Sequence, residues 1–252
     1  MSLIYIITVS DGEINSLKKT LNSIDEQKYK KYKNIIISKN KIKLLNNNLN
    51  NPKRKFFYKK NSSIYEAMNF GLKKSKNKFV IFLNSGDKFF SKFSLKKLSR
   101  YINKKKFNSC IMLVSVLKNG NDYFIPTEKT FFSNNYLIHS SFIRPPDVKD
   151  FGFNINNKIT ADGEWMKSNI KKYGIKKIYF PLSIFYLGGV SNLPSIRSLK
   201  MKSNTGFLSI LKEIIKFILF KTLSRDLFYK IIYFFKYKKM TEIEISKVKK
   251  FT

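Results

Sequence analysis

The hydrophobic positions in the first third of the chain follow two alternating patterns. Unbroken runs rich in Ile, Val and Phe cover residues 3–9, 34–38 and 78–83, and such runs are typical of strands buried on both faces. Between them, apolar residues recur at helical spacing over 14–24 and 64–72, which indicates helices with one buried face. The order strand, helix, strand, helix, strand predicts a parallel α/β sheet.

Less regular patterns extend this sheet beyond the first third of the chain. They predict strands at 111–117, 122–125 and 177–180, a helix at 161–173, and a short strand at 55–58. The last lies in a solvated, Asn- and Lys-rich connection over 39–60. Ligands of parallel α/β sheets bind beyond the carboxyl ends of the strands, so we expect the chemistry to follow Val9, Ser38 and Leu83.

The character of the sequence changes near residue 201, where we predict that a domain over 1–200 gives way to a basic amphipathic helical tail over 201–252. Two amphipathic segments, 207–223 and 227–237, are followed by a charged end. From residue 206 onward there are eleven Lys and Arg against four Asp and Glu, a net charge of +7 by subtraction. Such helices suit an anionic membrane interface; the alternative is that they cap the domain or form a dimer contact.

Composition narrows the class of protein further. A chain of 252 residues with 43% hydrophobic and 15% aromatic residues can bury a sizeable core. One cysteine and one histidine exclude an internal disulfide framework and a Cys/His zinc site. Residues 1–10 lack the features of a signal peptide, and the apolar stretch 207–220 is charged and shorter than the roughly 20 residues of a spanning helix. We therefore expect a cytoplasmic protein that associates peripherally with the inner face of the cell membrane.

The net charge of +34 would attract nucleic acid, anionic lipid or phosphorylated substrates. Lysine is accompanied by abundant Asn, Ile, Phe and Tyr, as in proteins of AT-rich genomes. The charge therefore supports an anionic partner without identifying it. The sequence carries no helix-turn-helix, zinc or RNA-recognition signature, so no specific nucleic-acid partner is predicted.

The strongest local signal is the buried strand 79–83 running into Asn84-Ser85-Gly86-Asp87. A carboxylate on a glycine turn at the end of such a strand can hold a divalent cation that bridges a diphosphate. Taken alone, Ser-Gly-Asp is an ordinary turn sequence.

Several segments together resemble family 2 glycosyltransferases of the GT-A fold. Residues 64–71 (Ile-Tyr-Glu-Ala-Met-Asn-Phe-Gly) followed by 79–87 resemble the family's Tyr-Asp-Ala-Met-Asn helix, strand and Asn-(Ser/Ala)-Gly-Asp turn. His-Ser-Ser-Phe at 139–142 and Ala-Asp-Gly-Glu-Trp at 161–165 resemble its histidine and Asp-aromatic-acid segments. Leu-Gly-Gly-Val-Ser at 187–191 resembles the turn that closes its domain. These motifs occur in the family's order, which makes a chance match improbable.

The resemblance implies a mainly parallel GT-A sheet flanked by helices. It also implies an inverting enzyme that moves a sugar from a nucleotide-diphosphate donor, a UDP-sugar first of all, to a hydroxyl of a lipid-linked or polysaccharide acceptor. Asp87 would bind Mg²⁺ or Mn²⁺ on the donor diphosphate, and Asp162 would act as the base, with Glu164 as its possible substitute. The remaining residues that it implies are Asp11, Glu66, Asn69, Asn84, Ser85 and Gly86 for donor binding, and His139 and Arg144 on the acceptor or phosphate side.

Each of these roles has a structural alternative. Asp162 could be only a helix N-cap, and Glu66 completes a capping box with Ser63. His139 could be a structural hydrogen-bonding residue. Arg144 could neutralise phosphate oxygens or could belong to a rigid surface turn with the two prolines that follow it.

The sequence also departs from the family pattern at two donor-binding segments. Residues 37–40 (Ile-Ser-Lys-Asn) lack the aspartate and Gly/Ser-rich turn that usually follow the second strand, and Asp11 is a candidate to compensate in part. Residues 60–63 (Lys-Asn-Ser-Ser) lack the usual carboxylates. These departures favour, as the alternative, a catalytically weak or inactive glycosyltransferase-like partner that acts in a complex.

Overall fold

A computed structural model gives the fold of the chain. It describes residues 2–41, 51–76, 78–103, 109–120, 122–133, 136–146, 152–158, 160–187, 207–224, 227–228, 231 and 240–243. The strands are β1 Ile4–Ser10, β2 Tyr32–Ser38, β3 Arg54–Tyr58, β4 Phe79–Phe82, β5 Lys88–Phe89, β6 Cys110–Asn119, β7 Asp122–Pro126, β8 Phe142–Arg144, β9 Ile175–Tyr186 and β10 Met240–Ile243. The helices are α1 Ile14–Asp25, α2 Ile64–Lys74, α3 Ser94–Ile102, α4 Glu128–Phe132, α5 Ala161–Tyr173 and α6 Phe207–Thr222, with a 3₁₀ turn at His139–Ser141.

The strands form one mixed sheet in the order β10-β7-β6-β8-β4-β1-β2-β3. β1 pairs in parallel with β2 and β4, and β2 pairs in parallel with β3, which confirms the predicted parallel α/β half. β8 is antiparallel to both β4 and β6. β9 runs parallel to β6 and pairs with the edge of β6 that faces away from β8. The chain therefore forms one curled mixed sheet with helices on both faces, as the resemblance to the GT-A fold implies.

The strand directions bring three distant segments to one edge of the sheet. Because β8 is antiparallel to β4, with Ile143 opposite Ile81, the 3₁₀ turn that precedes β8 lies at the carboxyl end of β4. β9 runs parallel to β6, and β6 is antiparallel to β8. Tyr186, the last residue of β9, therefore reaches the same edge. This edge is where the sequence analysis placed the chemistry.

Two hydrophobic cores hold the helices against the sheet. On one face, α1 and α3 pack through residues such as Leu21 and Leu98; on the other, α2 and α5 pack through Met68 and Trp165. Gly71 lets α2 approach β1 closely, because a Cβ at that position would lie 2.6 Å from Ile7 Cγ2. The apolar runs and helical spacings of the sequence are thus explained by burial on both sides of the sheet.

Most predicted elements are confirmed, and, within the ranges given above, the structure adds five helices and strands that were not predicted. The helix at 161–173 and the strands at 55–58, 111–117 and 122–125 are found within one to two residues of the expected bounds. The strand expected at 177–180 extends over all of β9. The sequence analysis missed α3, α4, β5, β8 and β10.

Several predictions fall outside the described residues. They are the closing turn at 188–191, most of the second tail segment at 227–237 and the boundary near residue 201. The first tail segment is described as α6. Among the described residues, no helix is long and apolar enough to cross a membrane.

Candidate active site

The Asn84–Asp87 turn is held by α1, the helix that connects β1 to β2. Thr20 of α1 donates its hydroxyl to Asp87 O (2.7 Å) and accepts from Gly86 N (3.0 Å). Gly86 has a φ of +102°, a conformation that side chains other than hydrogen disfavour. Asp87 is buried, with 4% of its surface exposed. The turn is therefore a rigid support for one buried carboxylate.

His139 joins the two carboxylates that the sequence analysis selected. Its Nε2 lies 3.6 Å from Asp87 Oδ2, and its Nδ1 lies 3.5 Å from Asp162 Oδ2. The ring is held edge-on by Phe185 of β9, at 5.4 Å between centroids, and the backbone N–H of Tyr186 donates to Asp87 Oδ1 (3.2 Å). Residues 87, 139 and 162 thus form one cluster at the sheet edge.

The surroundings shift the pKa values of the two carboxylates in opposite directions. Burial raises the pKa of Asp87, although His139 opposes this shift. For Asp162, burial also acts upward, but the hydrogen bond and charge of His139 outweigh it and the pKa is lowered. Burial alone would lower the pKa of His139; hydrogen bonds and charges from Asp162 and Asp87 raise it to about 9. With a pKa of about 9 the ring is an imidazolium at neutral pH, and the lowered pKa of Asp162 favours its ionised form.

Asn84 gives the imidazole a partner that can adapt to its charge. Asn84 Nδ2 lies 3.1 Å from His139 Nε2, a contact that suits an unprotonated Nε2. Asn84 Oδ1 is buried and has no hydrogen-bond partner among the described residues. A half-turn of the amide would bring this oxygen to an Nε2–H of the protonated ring, so the oxygen can serve either the imidazolium or a cation at the turn, but not both at once.

Asp162 is held in place by an aromatic group that links α2 to α5. Tyr65 donates its hydroxyl to Asp162 Oδ1 (3.4 Å), and Gly163 N donates to the same oxygen (2.9 Å). The Tyr65 ring stacks on Phe153, which stacks on Trp165 at 4.7 Å between centroids. The N-cap of α5 is Thr160, so the alternative that Asp162 is only an N-cap is wrong.

The oxygen atoms of the Asn84–Asp87 turn fit a divalent cation. Asp87 Oδ2, Asn84 Oδ1 and Ser85 Oγ are all buried and have no hydrogen-bond partner among the described residues. Mg²⁺ and Mn²⁺ prefer such oxygens, and Mg²⁺ is commonly bound by one or two carboxylates with substrate phosphates completing its shell. No group of three or more His, Cys, Asp or Glu side chains suited to a metal occurs in the described part of the chain. The turn therefore suits a cation shared with a phosphorylated ligand better than a permanent metal site.

Four other predicted residues lie around this cluster without joining it. Asp11 is exposed at the end of β1, where its carbonyl accepts from Asn40. Glu66 forms the capping box of α2 with Ser63. Both polar atoms of Asn69 bind the backbone of Phe153, and Glu164 is exposed and accepts from Asn157. Donor contacts by the first three residues, and the substitute base role of Glu164, stay predictions.

The prediction for Arg144 is wrong in both of its forms. Arg144 is the last residue of β8 and is fully buried. Its guanidinium donates to the carbonyl oxygens of Ser75 and Lys78, which precede β4 and so lie at the opposite end of the sheet from Asp87. The antiparallel direction of β8 carries it there, so it is neither a phosphate ligand at the cluster nor part of a surface turn.

The sequence analysis missed three contributors to the cluster. They are the hydroxyls of Thr20 and Tyr65 and the backbone N–H of Tyr186. Tyr65 was quoted only as part of a motif, and its contact spans 97 residues of sequence. Such contacts depend on strand order, which local sequence patterns do not encode.

Comparison with solved structures supports the GT-A fold. The chain resembles the crystal structure of S. aureus TarS 1–349 in complex with UDP-GlcNAc, with a TM-score of 0.61 and 16% identity over 90% of this chain and 69% of that one. It also resembles the mannosyltransferase PcManGT from Pyrobaculum calidifontis in complex with GDP-Man and Mn²⁺, with a TM-score of 0.55 and 11% identity over 76% of this chain and 59% of that one. The chain spans 60% of another crystal structure of TarS 1–349 and 44% of a longer TarS structure.

Sequence comparison identifies the family. No curated protein matches the chain significantly. The sequence model described as glycosyl transferase family 2 matches residues 5–168, which is more than half of the 252 residues and includes Asp87, His139 and Asp162. The chain belongs to glycosyl transferase family 2.

Proposed function

We propose that the chain is an inverting glycosyltransferase that moves a sugar from a nucleoside-diphosphate donor to a hydroxyl of a lipid-linked or polysaccharide acceptor. The observation that carries this proposal is the meeting of Asp87 and Asp162 at the two nitrogens of one imidazole. Two carboxylates with different pKa values at one sheet edge suit two different tasks. One supports the leaving diphosphate, and the other accepts a proton.

The residues support a single displacement at the anomeric carbon. The acceptor oxygen would attack that carbon from the face opposite the diphosphate while its proton passes to Asp162, whose pKa is lowered. The new carbon–oxygen bond forms as the bond to the phosphate oxygen breaks, which inverts the anomeric centre. Tyr65 and Gly163 N hold the carboxylate by Oδ1, and Oδ2, which faces His139 Nδ1 at 3.5 Å, is the oxygen we assign to accept the proton.

Charge on the departing diphosphate is balanced at the Asn84–Asp87 turn. Mg²⁺ or Mn²⁺, when bound there, would neutralise the charge that develops on the leaving group. Asp87, with the neutral oxygens of Asn84 and Ser85, would hold it. The imidazolium of His139, 3.6 Å from Asp87, adds a second positive charge on the same side. A UDP-sugar is our first candidate donor, since TarS structures contain UDP and UDP-GlcNAc.

A screen of donor hydrolysis tests this function. The protein is incubated with UDP-, GDP- and dTDP-sugars, with and without Mn²⁺, and release of the nucleoside diphosphate is measured. We expect release from at least one donor, with UDP-sugars favoured and Mn²⁺ required. Absence of release from every donor, together with absence of Mn²⁺-dependent UDP binding by calorimetry, would instead support the inactive partner suggested by residues 37–40 and 60–63.

The first tail helix supports a peripheral membrane position for this enzyme. Leu211, Ile214, Ile215 and Ile218 lie on one stripe of α6 and are 40–53% exposed. The helix packs on the domain through other residues, including Leu219 and Phe220. At 100° per residue, the exposed Lys212 and Lys221 border the stripe on its two sides. An apolar stripe bordered by lysines suits the interface of an anionic membrane, where a lipid-linked acceptor would be found.

A further inference from the structure

Four fully buried serines form a hydrogen-bonded cluster beside His139, and two of them belong to its turn. Ser115 Oγ contacts the hydroxyls of Ser141 (2.8 Å), Ser183 (2.8 Å) and Ser140 (3.2 Å), and the last two contact each other at 3.0 Å. All four side chains have 0% exposure. A hydroxyl has one donor and two acceptor sites, so these three partners use the full capacity of Ser115.

The cluster connects three separate elements. Ser115 lies in β6 and Ser183 in β9, where the two residues pair directly, whereas Ser140 and Ser141 belong to the turn that carries His139. Ser115 is the only hydroxyl-bearing residue in the apolar stretch 110–117. A residue that only filled space there would be expected to be apolar, so its hydroxyl calls for another explanation.

Tyr136 adds a second connection from the His139 segment to the same residue. Its hydroxyl donates to Ser115 O (2.6 Å) and accepts from Ser115 N (3.0 Å). On this edge, β6 pairs with β8 as far as Met112 and with β7 from Leu117 onward, so Ser115 lies between the two ladders. The Tyr136 hydroxyl therefore satisfies the backbone groups of Ser115 that no described strand pairs on this edge. It also anchors the chain to β6 three residues before His139.

The elements joined at Ser115 are those that build the catalytic cluster. Ser183 precedes Phe185 by two residues, so both side chains lie on the same face of β9, and Phe185 holds the His139 ring. Tyr186, the next residue, donates its N–H to Asp87. The turn and the strand end are thus set relative to each other through Ser115, which bonds to both, and through the direct Ser140–Ser183 contact.

We propose that Ser115 is a positioning residue for His139, acting through the hydroxyls of Ser140, Ser141 and Ser183. This proposal rests on the proposed function for its kinetic consequence, but its structural consequence is independent of it. Loss of the Ser115 hydroxyl would let the His139 turn shift relative to Asp87 and Asp162. A displacement of about 1 Å in a catalytic group can lower a rate by about 100-fold.

The test compares Ser115→Ala with a matched control, Ser75→Ala. Ser75 is also fully buried, and its hydroxyl bonds only to a backbone carbonyl, that of Leu72, at 3.1 Å. Because His139 is the only histidine, its ring signals are unambiguous in NMR spectra. We expect Ser115→Ala to shift or broaden these signals and to weaken the cross-peaks between His139 and Phe185, while Ser75→Ala leaves both as in the wild type.

The kinetic arm measures donor hydrolysis with the nucleotide sugar found in the screen. We expect Ser115→Ala to lower kcat by about 10- to 100-fold with the donor KM changed less than about 3-fold. Ser115→Cys, which keeps a weak donor of similar shape, should restore part of kcat.

Unchanged His139 signals with wild-type kcat in folded Ser115→Ala would overturn the proposal. If Ser115→Ala does not fold, Ser183→Ala, which removes the contacts of Ser183 with Ser115 and Ser140, is read by the same criteria. If the wild type hydrolyses no donor, the proposed function fails while the NMR comparison still decides the role of Ser115.

Discussion

At the scale of single residues, the charge of His139 sets the properties of the site. The ring is 11% exposed, lies between two carboxylates and has a pKa raised to about 9. The resemblance to the family selected His139, Asp87 and Asp162 individually from the sequence. The resemblance implies that they act at one site, but their contacts with one imidazole could not be predicted, because these contacts depend on the direction of β8 and on the packing of α5.

The raised pKa of His139 predicts how stability depends on pH. The unfolded chain releases the imidazole proton near pH 6.5, whereas the folded chain keeps it until about pH 9. Stability from this group is therefore complete below pH 6.5 and is lost as pH rises towards 9, with a slope of at most about 1.4 kcal/mol per pH unit. Urea unfolding at several pH values measures this slope, and His139→Gln is the reference that should lack it. Equal slopes in the two proteins would contradict the charge assignment.

At the scale of elements, close approach between helix and sheet determines where the site residues lie. The helical spacing of 64–72 predicted α2, and the capping box at Ser63 and Glu66 predicted its start. The sequence could not show that α2 lies so close to β1 that Gly71 has no room for a methyl group. It also could not show that Tyr65 on this helix reaches α5, since that contact depends on the whole sheet.

Substitutions at two glycines test this packing. Gly71→Ala should lower the free energy of unfolding by about 1–3 kcal/mol, because its Cβ would overlap Ile7. Gly163→Ala is the matched control: it lies within α5 with no atom within 4 Å of the added Cβ. It should be neutral or stabilise by up to about 1 kcal/mol. Similar losses in both variants would show that α2 is not held in the described position.

At the scale of the whole molecule, the parallel half of the sheet was predictable, whereas the other half was predictable only in part: β6, β7 and β9 were expected, but their pairing and the strands β5, β8 and β10 were not. Unbroken apolar runs identified β1, β2 and β4 because burial on both faces removes polar alternation. β8 has only three residues and β5 only two, too few for a pattern. The net charge of +34 also acts at this scale, since it favours binding of the protein to an anionic surface that α6 could contact.

Vesicle binding tests the proposed surface of α6. The wild type should sediment with vesicles that contain anionic lipid, and less so as salt is raised, because exposed charges are screened within roughly 10 Å at 0.1 M. Replacing Ile214 and Ile218 with Ser should weaken binding, whereas Ile155→Ser, a change at an equally exposed isoleucine outside the helix (47%), should not. Unchanged binding of the α6 double variant would exclude the stripe as the membrane contact.

The central claim, that Asp87 and Asp162 have separate roles at one site, is tested most directly by measuring UDP binding and donor hydrolysis in Asp87→Asn and Asp162→Asn. We predict that Asp87→Asn loses Mn²⁺-dependent UDP binding in calorimetry. Asp162→Asn should bind UDP with Mn²⁺ as the wild type does but lose at least about 100-fold in turnover, as expected for removal of a general base. Wild-type turnover in both variants, with Glu26→Gln as the surface control, would contradict the account.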